Sequence, residues 1–181
     1  MINRLITPMA LQARGLYVEL MFQVMGRALQ AVSEVDRDVR SEVSALPEGF
    51  LFEMMVMPDG SRFIVEHIGN GHLHYHGDNA SRPVDLSIQF KHVAHAFLVL
   101  SFQEKTSVAF ANDRMLVDGD ISYAVRMTRV LNRLEAFILP RLIAKRAVKE
   151  YPANLNLPKK VLSAARIYLK VANHFVATVR A

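Results

Sequence analysis

Hydrophobic and polar positions change period several times along this chain, and each change marks an element. Up to about residue 35, apolar residues fill most helical positions. Leu16, Tyr17, Leu20, Met21, Val24, Met25, Ala28, Leu29 and Val32 cover more than half the circumference, while Gln12, Glu19, Gln23, Arg27, Gln30 and Glu34 leave a narrow polar side. This predicts a helix that buries most of its surface against the domain or a partner. Residues 34–48 are charged, helical at first and broken at Pro47, as a linker or cap would be. The period then falls to two. Residues 50–57 alternate as a strand, Pro58-Asp59-Gly60 turns the chain into a second strand at 61–68, and Gly69-Asn70-Gly71 turns it into a third at 72–76. A polar loop over 77–83 precedes a fourth strand at 85–90, an apolar helix at 93–102, a small helix at 107–114 and a fifth strand at 115–120. The expectation is an α+β fold: a five-stranded, mostly antiparallel sheet covered by helices on one side, with extra helices at both ends.

Gly119 can take a positive φ at the turn out of the fifth strand, and Asp120 can cap the helix that starts at Ile121. That helix is amphipathic to about residue 139. Ala124, Met127, Leu131, Leu134 and Ile138 form its apolar stripe, and Arg126, Arg129 and Arg133 a basic stripe opposite. Pro140 ends it or opens a further helix at 141–150. After a loop at 151–158, a last helix runs over 159–180, about 33 Å at 1.5 Å per residue. Val161, Ala165, Tyr168, Ala172, Phe175 and Val179 make its apolar side, and Lys159, Arg166 and Lys170 lie on the other. The pattern divides the chain into an N-terminal helical extension (1–46), a central domain (47–150) and a C-terminal basic helix (151–181).

Charge changes the picture only at the end of the chain. The net charge is +5, but residues 141–181 hold nine Lys/Arg against the single acid Glu150, a net of +8, which leaves −3 for the rest. Three uses of the last helix compete. It can pack on its own domain or the N-terminal helix, lie on an anionic membrane surface, or pair with a second copy or another protein. Nucleic acid is not expected as a partner, because the aromatics of the tail lie on its apolar side and no recognition module is recognisable. Arg4, Arg14, Glu19 and Arg27 break the N-terminal apolar runs short of the roughly 18–20 residues a membrane span needs. No signal-peptide cleavage pattern follows. Cysteine is absent, which removes disulfides, thiol catalysis and zinc–thiolate sites and suits a reducing cytoplasm; a place at the membrane periphery belongs only to the membrane-surface use of the last helix.

Histidine is the one residue type clustered enough for metal chemistry. His72, His74 and His76 alternate along one strand and so share a face, with His67 available from the strand before. No carboxylate stands at ligand spacing, so the reading assigns no metal and no cofactor. Carboxylates are too scattered to nominate an acid–base pair, and Gly69-Asn70-Gly71 reads as a turn, not a phosphate loop.

The order strand, apolar helix, small helix, strand ending in Gly-Asp, helix over residues 83–131 resembles the SCP2-like (sterol carrier protein 2) lipid-binding family. The resemblance is carried by Asp85, Ser87 and Ile88, by Ala109-Phe110, and by Leu116, Val117, Gly119 and Asp120. It implies the same five-stranded sheet, an apolar cavity and no catalytic residue. The helix after Asp120 would lie over the cavity mouth, which nominates Phe97, Phe102, Phe110, Met127, Leu131 and Leu134 as lipid contacts; as plain core residues they would look the same. The expected function is non-catalytic binding, transfer or presentation of a fatty-acyl, sterol-like or polyprenyl ligand. Residues 129–135 running into Leu139-Pro140-Arg141-Leu142, with Leu46-Pro47-Glu48-Gly49, are similar to bacterial SCP2 accessory factors of ubiquinone biosynthesis. A protein-interaction module using the terminal helices and a His-metal enzyme are the other classes the sequence leaves open.

Overall fold

The computed structural model describes residues 3–138. The expected helix at 141–150, the loop at 151–158 and the basic helix at 159–180 lie outside the described residues. Helix α1 (Asn3–Val35) and the short α2 (Arg37–Val43) lead into β1 (Leu51–Val56), β2 (Arg62–His67), β3 (Leu73–Gly77) and β4 (Leu86–Phe90). Helices α3 (Val93–Leu100) and α4 (Thr106–Ala111), strand β5 (Met115–Gly119) and helix α5 (Ile121–Ile138) follow.

The five strands form one sheet in the order β3-β2-β1-β4-β5. Three of its pairings are antiparallel, and β1 lies parallel to β4, with Phe52 beside Leu86 and Val56 beside Phe90. The register puts alternate residues on a common face. Phe52, Met54, Val56, Phe63, Val65, Leu73, Leu86, Ile88, Phe90 and Met115 all join one apolar core with the helices. The opposite face carries polar residues: Ser87 donates to Glu53 at 2.8 Å, and Arg62 reaches the same carboxylate at 3.4 Å.

Helix α1 is part of this core. Val18, Phe22, Leu29 and Val32 are fully buried, and Phe22 stacks edge-on against Phe63 with centroids 5.5 Å apart. The same helix closes one edge of the sheet. The outward N–H groups of Leu73 and Tyr75 on edge strand β3 donate to Ser33 Oγ and Gln30 Oε1, each at 3.0 Å, so α1 side chains replace a neighbouring strand. Two assignments from the pattern change. Arg27, placed on the polar side, is buried, with its guanidinium 5.0 Å from the centre of the Tyr75 ring, whereas Leu16 and Leu20 of the apolar set are exposed.

The basic stripe of α5 meets α2. Arg126 and Arg129 both reach Glu42, at 3.1 and 3.2 Å, and Arg133 reaches Asp36 at 3.0 Å and Asp38 at 2.8 Å. These three arginines therefore serve to dock α5 against α2.

The turn before α5 forms as its residues predict. Gly119 has φ +128°, and a Cβ there would fall 2.6 Å from the Asp85 carbonyl oxygen. Asp120 accepts from the Ser122 N–H and from its hydroxyl, each at 2.6 Å, and these bonds hold its carboxyl below the usual range.

Candidate lipid cavity

Between the inner face of the sheet and the helices lies a cavity of about 110 Å³. Met21, Val24 and Met25 of α1 form one wall, Met54, Ile88, Phe90 and Met115 the floor, and Val99 and Leu100 of α3 a third side. Leu131 and Leu134 of α5 close the remaining wall, together with Thr128, Asn132 and Glu135. Phe102 and Thr106 complete the lining. Phe102 is also 38 % exposed, so the cavity reaches the surface there.

Each wall is set by local sequence. The floor residues share a face because β1, β4 and β5 pair in register, Met54 beside Ile88 and Phe90 beside Met115. The α1 wall is held at close range because Gly26 leaves room for the Tyr75 ring. Phe102 follows α3 in a left-handed conformation, φ 60°. Its N–H donates to Val99 O at 3.0 Å and that of Gln103 to Leu98 O at 2.9 Å, the paired bonds of a Schellman helix end, where glycine is the usual residue. Thus a phenylalanine occupies a strained position at the cavity edge.

Electrostatically the cavity is almost neutral. Glu135 is the only titratable residue among the described residues that line it. Burial pushes its carboxyl up to about 7, because its charged form loses water and gains no compensating partner.

No family model matches the sequence. No curated protein matches it either. Solved structures with a similar fold include a protein described as a UbiJ-SCP2 ubiquinone synthesis protein, at 12 % identity and TM-score 0.43, with 66 % of this chain and 96 % of that one covered. A sterol carrier protein domain from Helicoverpa armigera is similar at 14 % identity and TM-score 0.42, over 65 % of this chain and 84 % of that one. A Thermus thermophilus protein described as possibly a sterol carrier protein is similar at 16 % identity and TM-score 0.43, over 76 % and 92 %.

Of the six residues nominated from sequence, Phe102, Leu131 and Leu134 line the cavity. The other three stand elsewhere. Phe97 packs edge-on against Tyr17 at 5.2 Å, with the Arg14 guanidinium over its ring at 5.4 Å, and so joins α3 to α1. Met127 is fully buried in the core between α5 and its neighbours, and Phe110 on α4 is 56 % exposed. The pattern missed the polar residues Thr128, Asn132 and Glu135. Part of their signal was present: Thr128 and Glu135 stand three before and four after Leu131 and so share its side of α5, and Asn132 stands four after Thr128.

The histidines do not converge. His67 is buried, with Nδ1 donating to Pro47 O at 3.0 Å and Nε2 accepting from the Gly71 N–H at 3.1 Å. These bonds fix its neutral tautomer and use both nitrogens, so it is not a fourth ligand beside the β3 histidines. His74 and His76 are exposed neighbours with centroids 4.8 Å apart, and His76 pairs with Glu66 at 2.6 Å. His92 caps α3 by accepting from the Ala94 N–H. Among the described residues no group of three metal-ligating side chains assembles, and none of the described helices is long and apolar enough to cross a membrane.

Proposed function

We propose that this chain is a non-catalytic binding protein that takes the apolar part of a lipid into the cavity between α1, the sheet and α5, and carries or presents it. The observation that supports this most is the lining itself. Apart from Thr106 and the three polar residues of α5, every described residue lining the cavity is apolar. Removing apolar surface from water is worth roughly 25 cal/mol per Å², so partition alone drives an apolar chain or ring into such a space.

The size of the cavity shapes the mechanism. At about 110 Å³ it is smaller than the roughly 300–1,000 Å³ typical of small-molecule sites. It holds a ring or a short length of chain as it stands. Four of its lining residues are methionines, Met21, Met25, Met54 and Met115, whose unbranched side chains can turn aside to admit more. Ligand uptake on this reading widens a space that already exists. The resemblance of residues 83–131 to SCP2-like proteins points the same way.

The reading is tested by titrating the protein with N-phenyl-1-naphthylamine, a fluorescent apolar ring compound. Saturable enhancement, abolished by Leu131→Trp in a variant that unfolds at the same temperature as the parent, is the expected result. Enhancement that is absent, or that Leu131→Trp leaves unchanged, would remove the cavity as the binding site.

A further inference from the structure

The polar residues of the cavity wall are concentrated on one helix. Thr128, Asn132 and Glu135 stand at i, i+4 and i+7 on α5 and form a strip down one face, beside the apolar row of Leu131 and Leu134. The Thr128 hydroxyl donates to Ala124 O at 2.8 Å, which leaves its oxygen free to accept. The Asn132 amide and the Glu135 carboxyl are engaged by no hydrogen bond or ion pair among the described residues. Arg126, Arg129 and Arg133 of the same helix are committed to Glu42, Asp36 and Asp38, and no cation lines the cavity among the described residues.

On the reading that the cavity binds a lipid, we infer that this strip selects the head of the ligand: an uncharged hydrogen-bonding group, a hydroxyl or phenol on an apolar body, in preference to a carboxylate. A hydroxyl can donate to Glu135 or Thr128 and accept from Asn132, which satisfies both its functions away from water. A carboxylate would bring a second acid beside Glu135 with no cation of the described residues between them. Above the pH at which Glu135 releases its proton, the two would have to stay charged together in an apolar space or take up a proton against the solution pH, and either outcome opposes binding. The raised affinity of Glu135 for its proton fits this role, since its neutral form can also donate to a hydroxyl oxygen.

Displacement of N-phenyl-1-naphthylamine by dodecanol and by dodecanoate, at pH about 8, tests the inference. The alcohol is the more hydrophobic of the two, so the informative quantity is how far the preference depends on Glu135. The parent should prefer the alcohol, and Glu135→Gln, with Glu135→Met in parallel, should narrow that preference by about tenfold, chiefly by admitting the acid. An unchanged ratio in both variants, with the probe still bound and displaced, would overturn the selection and leave the cavity reading intact. Failure of the parent to bind the probe or either competitor would instead defeat the cavity reading.

Discussion

The ring of Tyr75 lies where the side chain of Gly26 would be: a Cβ at Gly26 would stand 2.4 Å from Cδ2 and Cε2 of that ring. This single approach sets how closely α1 sits on β3. Met25, one residue before, forms part of the cavity wall, so the depth of the helix and the width of the cavity are linked.

Gly26→Ala should therefore destabilise the protein, although the same change inside an exposed helix would stabilise it by about 1 kcal/mol. The expected loss is about 1–3 kcal/mol, the usual range for overpacking. Chemical denaturation measures it. In a Tyr75→Ala background the loss should largely vanish, and a loss of equal size there would show that the ring is not what Gly26 makes room for.

Phe102 offers the reverse case. Its φ of 60° is easy for glycine and costly for any residue with a Cβ. Phe102→Gly should be more stable than Phe102→Ala by about 1 kcal/mol, because glycine relieves the left-handed strain that alanine keeps. Both should bind N-phenyl-1-naphthylamine more weakly than the parent, since the ring that lines the cavity edge is gone. An alanine variant as stable as the glycine variant would place no strain at this helix end.

Glu135 makes stability depend on pH. Its carboxyl is raised from 4.5 to about 7 by burial, so between these values the folded state holds a proton that the unfolded state has released. Stability is then fully present below about 4.5 and declines as pH rises through about 7. At the scale of 1.36 kcal/mol per pKa unit the loss is at most about 3 kcal/mol. Glu135→Gln should match the parent near pH about 4 and exceed it near pH about 8. Parallel denaturation curves at the two values decide the matter, and a variant advantage that is the same at both would mean that ionisation of Glu135 is not the cause.

Much of this fold is legible because its signals are local. The change from helical to alternating period marks β1 and β2, the turn Gly69-Asn70-Gly71 separates β2 from β3, and Gly119-Asp120 marks the start of α5. What is not legible depends on partners distant in sequence. The parallel pairing of β1 with β4 follows from how the sheet assembles, and no residue in either strand announces it. The arginines of α5 look solvated until Asp36, Asp38 and Glu42 are brought beside them. Phe97, Phe102 and Met127 are equivalent as apolar letters, and only tertiary packing separates the one that lines the cavity from the two that do not. Glu135 is the converse: in the sequence it is an ordinary helical acid, and its environment alone makes it unusual.

The most direct test of the central claim is native mass spectrometry of the full-length protein as purified, followed by organic extraction. The expected result is an apolar ligand with an uncharged head, near one per chain and lost in Leu131→Trp. A chain that carries none, and whose thermal stability is unmoved by added dodecanol, would contradict the claim that this cavity exists to hold a lipid.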